Sequence, residues 1–312
     1  YLYTSEKIDG PWKKQLIEGF YHDGSLLFDE DGRNYIVYGN DEIWITELNE
    51  DLTAPKKDGL HRLLVSDHKN PELGYEGSHI QKINGYYYIF LIHSLRDRWM
   101  RTEACFYSDS LEGEFTGGDV LCDDRGYCGQ GVAQGGIVDT PDGKWYAMLF
   151  QDSGAVGRLP ILLPVTWKDH FPVFGQNGHV PEEIEVHSTR PGYIYQPLVG
   201  SDDFCNGLLP RWQFNHDPDP RYYHLDALQG TYTITTREVC TELTQAVNTL
   251  TQRMSYPSCA AEVTVDASAL KDGDVAGLCA FQGCYAAVGI TKHHGKYEVL
   301  MLDKKEDGIL DM

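Results

Sequence analysis

Residues 74–90, GYEGSHIQKINGYYYIF, place an Asn-Gly dipeptide between two short apolar stretches. Asn-Gly supplies the positive φ angles of a two-residue hairpin turn, so this stretch predicts two antiparallel strands joined at Asn84 and Gly85. The pattern recurs as Asp31-Gly32 before NYIVY and as Asp142-Gly143 before KWYAML. The turn glycines lie 53 and 58 residues apart. This spacing indicates a repeated unit of about fifty residues.

A second element repeats in step with the hairpins. SEKIDGPW at 5–12 matches SDSLEGEF at 108–115. ELNEDL at 47–52 lies between them in the chain and matches both less closely. Several strands in a period of about fifty residues are typical of propeller blades, of which a closed ring needs roughly 4–8. The repeats account for about three blades. We therefore expect an incomplete β-propeller whose natural N-terminus lies upstream of Tyr1, since the chain begins without Met in what reads as a strand.

The pattern of residue types changes after residue 196. Residues 196–204, QPLVGSDDF, are typical of a linker, and the chain beyond them contains further stretches that alternate as strands do: 230–236, 261–266, 285–290 and 297–302. Residues 238–255 carry apolar side chains at helical spacing, but their threonines favour a strand. We predict an all-β chain, with a partial propeller over 1–196 and a partial β-sandwich over 197–312.

The charge balance excludes several classes of partner. Lys and Arg number 26 against 47 Asp and Glu, which gives a formal net charge of −21. Such a surface repels phosphate backbones and anionic membranes, so nucleic acid and membrane partners are not expected. A neutral ligand rich in hydroxyl groups would meet no such repulsion. A homo-oligomer is also compatible with the sequence.

The cysteines and histidines predict no metal centre. None of the eight cysteines forms a Cys-x-x-Cys pair, and the histidines lack metal-ligand spacing. Residues 29–32, DEDG, lack the far Glu of a calcium loop and are better explained as a hairpin turn. Unpaired cysteines favour a reducing compartment, and hence the cytoplasm over secretion.

Two carboxylates occupy equivalent positions in successive repeats. Asp23 precedes the apolar stretch SLLF at 25–28. Glu76 lies 53 residues after Asp23. Equivalent strand starts converge at one mouth of a propeller's channel, so we expect both side chains to face one hollow. A carboxyl held in a partly apolar setting can act as a general acid, and Gly77 would let a substrate approach closely. The alternative is that Glu76 is a solvated loop residue and Asp23 belongs to a turn.

Two further polar residues could contribute to such a site. Arg158 lies among small and apolar neighbours in AVGRLP, and an Arg that faces a pocket could hold an acid or a sugar hydroxyl. Gln134 enters the third hairpin from the glycine-rich stretch GVAQGG. Its amide could donate into a site or satisfy a turn.

Together these stretches resemble glycoside hydrolase family 43, the five-bladed propeller β-xylosidases and α-L-arabinofuranosidases. The resemblance rests on DGSLLFDEDG at 23–32, YEGSHI at 75–80, AQGGIVDTPDGKW at 133–145, GRLP at 157–160 and PVTWKD at 164–169. It covers residues 1–185, and the residues from 199 onward resemble the family's C-terminal concanavalin-like β-sandwich.

The resemblance implies an inverting, exo-acting enzyme that removes xylose or arabinofuranose from plant cell-wall oligosaccharides. By motif, Glu76 would be the general acid, Asp23 the acid that modulates its pKa and orients it, and Arg158 a substrate contact. The general base would lie upstream of Tyr1, ~6.5–9.5 Å from the acid across the sugar. Tyr75 and Trp99 could stack on sugar faces.

The chain departs from the family pattern at two positions. Gly24 replaces the usual Pro, and Gln134 stands where many members place a His that helps to bind a calcium ion or water in the channel. The resemblance implies no required cofactor. The one metal that it suggests is a structural calcium ion in the channel. The alternatives to an enzyme are a non-catalytic carbohydrate-binding propeller and an interaction scaffold.

Overall fold

The chain folds into two units, Tyr1–His187 and Ser188–Met312, in a computed structural model. The structure describes residues 1–255, 258–305, 308 and 310–311. Regular structure among them consists of strands and two 3-10 helices, Gly154–Val156 and Leu243–Gln245, so the all-β prediction is confirmed. No helix in this described part is long and apolar enough to cross a membrane.

The first unit contains one two-stranded sheet and three four-stranded sheets. The two-stranded sheet pairs β1 (Leu2–Thr4) with β2 (Lys13–Gln15). We call the others the first, second and third blade. The first contains β3 (Ser25–Phe28), β4 (Asn34–Asn40), β5 (Glu42–Leu48) and β6 (His61–Ser66). The second contains β7 (Glu76–Ile83), β8 (Tyr86–Ser94), β9 (Arg101–Ser108) and β10 (Thr116–Leu121). The third contains β11 (Ala133–Asp139), β12 (Trp145–Asp152), β13 (Arg158–Lys168) and β14 (Phe171–Phe174). Each strand pairs antiparallel with the next, as a propeller blade requires.

The three Asp-Gly or Asn-Gly turns join the first two strands of each blade, as their repeat predicts. Only Asn84–Gly85 forms a two-residue turn, with φ of 50° and 85°, which suits a type I′ hairpin. The other two connections are longer, and within their dipeptides the positive φ falls on Gly32 and Gly143 alone. The prediction of two-residue turns was therefore wrong for the first and third blades.

The second blade is buried on both faces. Alternate side chains of β8 point to opposite sides: Ile89 and Leu91 pack against the first blade, whereas Tyr88 and Phe90 pack against the third. All four are buried. A strand covered on both faces gains from apolar residues at every position, which explains the unbroken run YYYIFLI at 86–92.

A buried carboxylate joins the first two blades at the turn end of their inner strands. Asp29 follows β3 and accepts hydrogen bonds from Lys82 Nζ at 2.6 Å and Tyr87 Oη at 2.5 Å. Burial alone would raise the pKa of Asp29, but these bonds and one from the Glu30 backbone N–H outweigh it, so the pKa is lowered. The opposite ends of β3 and β7 hold Asp23 and Glu76, so this contact helps to fix the relative position of the two acids.

We expect Tyr87→Phe to destabilise the protein by about 1.5–3 kcal/mol, because it removes a hydrogen bond to a buried charged group. Tyr88→Phe is the matched control, since Tyr88 Oη donates at 2.7 Å to a neutral carbonyl, that of His170. It should cost about 1 kcal/mol. The lowered pKa of Asp29 makes its contribution full above about pH 4 and lost as the pH falls through the folded-state pKa. Urea unfolding at neutral and acidic pH checks both points; equal losses for the two variants at neutral pH would contradict the assignment.

The second unit is also built of antiparallel strands. Its main sheet contains β19 (Val275–Phe281), β20 (Tyr285–His293), β21 (Lys296–Lys304) and β22 (Leu310–Asp311). Two small sheets pair β15 (Gln213–Phe214) with β18 (Leu250–Thr251), and β16 (Tyr223–Asp226) with β17 (Thr231–Ile234). The strands predicted at 230–236, 285–290 and 297–302 are thus present.

Two predictions in the second unit were wrong. Residues 261–266 alternate in polarity but form no strand. Residues 238–255 contain only the 3-10 helix Leu243–Gln245 and the two-residue strand β18, so neither a helix nor a continuous strand describes them. Such short patterns carry little intrinsic preference, and in this unit the side-chain contacts around them decide the conformation. Asn248, for example, is buried and its amide bonds the backbone of Asp219 in both directions.

Candidate active site

The structure brings Asp23 and Glu76 together at the starts of β3 and β7. His22 lies between them, with its Nε2 3.6 Å from Asp23 Oδ2 and 3.5 Å from Glu76 Oε2. One polar atom from each of the three side chains lies within 4.8 Å of the others. The Glu76 side chain is 19% exposed and that of Asp23 is 39% exposed, so solvent or a ligand can reach both acids.

Hydrogen bonds between the two inner strands hold the acids in this arrangement. Ser78 Oγ lies 2.9 Å from the backbone oxygens of Asp23 and Val37, and the Ile80 N–H donates to Ser25 Oγ at 3.2 Å. Asp23 itself has a φ of 46°, a left-handed conformation that Asp tolerates better than most residues. The start of β7 is therefore joined to the start of β3 by the side chains of Ser78 and Ser25, each of which follows one of the acids by two residues.

Asn40 is a second polar contact of Glu76. It ends β4, and its Nδ2 donates to Glu76 Oε2 at 3.2 Å. Asn40 could not be predicted from the sequence, because no repeat marks it and its contact depends on the packing of two blades. The one sequence signal for His22 is that it directly precedes Asp23.

Gly77 and Gln134 form a tight contact behind the general-acid candidate. β7 pairs with β8 through a register shift between Glu76 and His79, and Gly77 in this bulge has a φ of 65°. A Cβ on Gly77 would lie 2.6 Å from Gln134 Nε2 and 2.7 Å from Gln134 Cδ. The Gln134 side chain therefore lies directly on the Gly77 backbone, and its predicted contact with a substrate stays a prediction.

We expect Gly77→Ala to destabilise the protein by about 1–3 kcal/mol and to lower kcat by about 100-fold, since both the positive φ and the Gln134 contact oppose a side chain there. Gly85→Ala is the matched control, because Gly85 has a similar φ of 85° but nothing within 4 Å of its Cβ position. Adding Gln134→Ala should restore part of the stability lost in Gly77→Ala. Urea unfolding and kcat of these variants test the contact, and equal losses at Gly77 and Gly85 would show that only φ matters.

Arg158 lies at the start of β13, at the same end of the third blade as the start of β11. Its Nε donates to Asp152 Oδ1 at 3.2 Å, and its guanidinium lies 4.4 Å from the centre of the Phe150 ring. Asp152 also pairs with the buried Arg101. The Arg158 side chain is 60% exposed, so the guanidinium retains donors for a ligand. No contact with either acid is observed, and its predicted role as a substrate contact stays a prediction.

The two predicted stacking residues differ in their surroundings. The Tyr75 ring is partly buried between His93 and Phe106, at centroid distances of 5.0 and 5.3 Å. Burial raises the pKa of Tyr75 to about 12, as expected for a ring used in packing. Trp99 lies in the loop between β8 and β9, at the Glu76 end of the second blade, and is 40% exposed. Sugar stacking stays a prediction for both, and Trp99 has the free surface for it.

Three side chains at the site lie close enough together to hold a metal ion. Within the described part of the chain, His22, Asp23 and Glu76 are the one group of His, Cys, Asp or Glu side chains close enough to share an ion. Calcium takes about six to eight oxygen ligands, whereas this group offers two carboxylates and a nitrogen. The structural calcium ion that the resemblance suggests near Gln134 stays a prediction, and no step below passes through an ion.

A cleft of about 430 Å³ borders this site, and neither Asp23 nor Glu76 is among the residues that line it. His22 and Asn40 form part of its wall, together with Phe20, Tyr38 and Trp44. Tyr38 and Trp44 face away from the core that joins the first and second blades, because their strand neighbours Val37 and Ile45 point into that core.

Comparisons of this chain with known proteins all point to one family. The model of "Glycosyl hydrolases family 43" matches residues 1–172, and that of "Beta xylosidase C-terminal Concanavalin A-like domain" matches residues 201–311. The second match supports the β-sandwich predicted for the C-terminal half. A putative beta-xylosidase of Xylanibacter ruminicola is 27% identical over 308 residues, which are 94% of this chain and 56% of that protein.

Two solved structures are similar over nearly the whole chain. A bifunctional GH43-CE protein of Bacteroides eggerthii is 39% identical with a TM-score of 0.82, over 99% of this chain and 40% of that one. An engineered GH43 glycoside hydrolase, described as displaying both endo-xylanase and exo-arabinofuranosidase activity, is 27% identical with a TM-score of 0.75, over 95% and 57% of the two chains. This chain thus spans between 40% and 57% of the length of these three relatives.

Proposed function

Because the chain belongs to glycosyl hydrolase family 43, we propose that it acts in an inverting, exo-acting glycoside hydrolase that removes xylose or arabinofuranose from plant cell-wall oligosaccharides. The observation that carries the proposal is the pair of carboxylates, Asp23 and Glu76, held beside each other at equivalent starts of two blades. The names of its relatives support xylose and arabinofuranose as the sugars.

In the proposed reaction Glu76 donates a proton to the glycosidic oxygen as the C1–O bond breaks. Asn40 Nδ2 donates to Glu76 Oε2, so Oε2 acts as an acceptor and the proton is carried by Oε1. By the family resemblance, Asp23 orients Glu76 within the group that both acids form with His22. A water molecule then attacks C1 from the opposite face and loses its proton to a second carboxylate. We propose that this base lies upstream of Tyr1, as the family resemblance implies.

The remaining features of the proposal follow from charge and thiol chemistry. The net charge of −21 supports a neutral carbohydrate ligand over nucleic acid or an anionic membrane. All eight cysteines are free, which supports a reducing compartment such as the cytoplasm. No cofactor is required by the steps above.

Turnover by the full-length protein tests the proposed function. Aryl β-xyloside and aryl α-L-arabinofuranoside are incubated separately, and the anomer first released is identified by proton NMR. Inverted xylose or arabinose supports the proposal, and the relative rates decide between the two sugars. Retained stereochemistry would exclude the inverting mechanism. Binding of the sugars without turnover would instead indicate a carbohydrate-binding propeller, and neither binding nor turnover would indicate a scaffold.

A further inference from the structure

A fully buried carboxyl group, Glu103, is not used by the reaction described above. It lies on β9 with 0% exposure, on the face that packs against the third blade. Burial raises the pKa of Glu103 well above its usual range, because the charged form loses its contact with water. Among the described residues its Oε1 has no hydrogen-bond partner. Such a group is costly to bury, which calls for an explanation.

The contact made by the other oxygen supplies that explanation. Glu103 Oε2 accepts a hydrogen bond from the backbone N–H of Gln134 at 2.7 Å. Gln134 has a φ of 62°, in the left-handed region that residues other than glycine seldom adopt. It lies where β11 shifts register against β12, between Ala133 and Gly136, so the regular strand pairing does not hold its backbone. The carboxyl oxygen replaces the missing strand partner.

Gln134 in turn contacts the residue that follows the general acid. Its Cγ, Cδ and Nε2 lie 2.6–2.7 Å from the position that a Cβ on Gly77 would occupy. Gly77 is buried, has a φ of 65° and is bonded directly to Glu76. A shift of Gln134 would therefore leave the bulge at Gly77 free to move, and with it the carboxyl of Glu76.

We propose that Glu103 is a positioning residue for the general acid, acting through the Gln134 backbone and the contact of its side chain with Gly77. This inference rests on the proposed function for the role of Glu76. An apolar side chain of similar size would fill the same space without the cost of burying a carboxyl. What the carboxyl adds is an acceptor for one backbone N–H, and its effect on catalysis follows from that bond.

Three variants of the full-length protein test the inference. Glu103→Met keeps the volume but removes the acceptor, and should lower kcat by about 10- to 100-fold with little change in KM, as expected when a reacting group is misplaced. Glu103→Gln keeps a carbonyl acceptor and should recover most of the loss. Gln134→Ala removes the side chain from Gly77 and should resemble Glu103→Met.

The pattern of loss separates positioning from a purely structural role. Because Glu76 delivers a proton, the loss in Glu103→Met should be larger for glycosides with poor leaving groups than for activated aryl glycosides. Wild-type kcat in folded Glu103→Met, or an equal loss on both substrates, would overturn the inference. If Glu103→Met does not fold, Gln134→Ala decides, and unchanged kinetics in that variant would also overturn it.

Crystal structures of the wild type and of a variant provide a readout that does not need turnover. In Glu103→Met, or in Gln134→Ala if the former does not fold, we expect the backbone at Gly77 to shift and the Glu76 carboxyl to move relative to Asp23. An unchanged Glu76 would overturn the inference whatever the activity. Absence of turnover by the wild type would instead count against the proposed function, so the two failures are distinguishable.

Discussion

Glu76→Gln in the full-length protein should lower kcat for unactivated xylo- or arabino-oligosaccharides by about 10²–10⁴-fold, because the amide cannot donate the proton that the leaving oxygen needs. Gln has nearly the same shape as Glu and can still accept from Asn40 Nδ2, which now bonds Oε2 at 3.2 Å. The change therefore removes the proton and leaves the surroundings of the site in place.

Leaving-group dependence identifies the cause of that loss. Aryl glycosides with acidic phenols need little protonation, so Glu76→Gln should affect them far less than the oligosaccharides. Glu72→Gln is a control, since Glu72 is an exposed residue of the preceding loop with no place in the site. An equal loss on activated and unactivated substrates would remove Glu76 from the role of acid.

Asp23→Asn changes the other acid of the pair. It keeps the shape of the side chain but removes a carboxylate from the group that Asp23 forms with His22 and Glu76. Glu76 is then less well oriented towards the leaving oxygen, so kcat should fall by about 10- to 100-fold for substrates with poor leaving groups.

A control for this variant lies on the same hairpin. Asp31 is an exposed residue at the opposite end of β3, where it pairs with Arg33. Asp31→Asn should leave kcat within about twofold of the wild type, because charges on the solvent-exposed surface contribute little at that distance. If Asp31→Asn and Asp23→Asn lower kcat equally, the effect would reflect net charge and not a local contact with Glu76.

The blades and the pair of acids could be predicted from sequence because both depend on repetition. The hairpin dipeptides mark the same point in each blade, and the equal spacing of Asp23 and Glu76 within the repeat predicts that they face one hollow. Strand starts at equivalent positions are brought together by blade packing alone. The proximity of the two side chains needs no further information, although their roles in catalysis stay predictions.

The contacts that complete the site could not be predicted, because they depend on how blades pack. His22 reaches Glu76 from the segment before β3 and Asn40 from the end of β4, and neither belongs to a repeated pattern. Glu103 lies in the sequence TEACF, where an acidic residue reads as the solvated face of a strand. Only the third blade, which covers that face, makes it a buried residue.

Tyr75 shows how little a position next to a site residue in sequence says about a side chain. Its place beside Glu76 in sequence suggests a ring that faces the substrate, yet residues before and after a strand start can point to different sides. The ring packs between His93 and Phe106 inside the blade. Adjacency in sequence therefore does not show which side the ring faces, and its stacking on a sugar stays a prediction.

A double-mutant cycle on Glu76 and Asp23 tests most directly whether the two acids act on one proton. We expect kcat of the Glu76→Gln/Asp23→Asn double variant on oligosaccharides to lie within about threefold of Glu76→Gln alone, since Asp23 has no proton donor left to orient once Glu76 is replaced. If instead the two losses multiply, so that the double variant is slower than Glu76→Gln by the whole Asp23→Asn factor, the acids act independently and the account of this site is wrong.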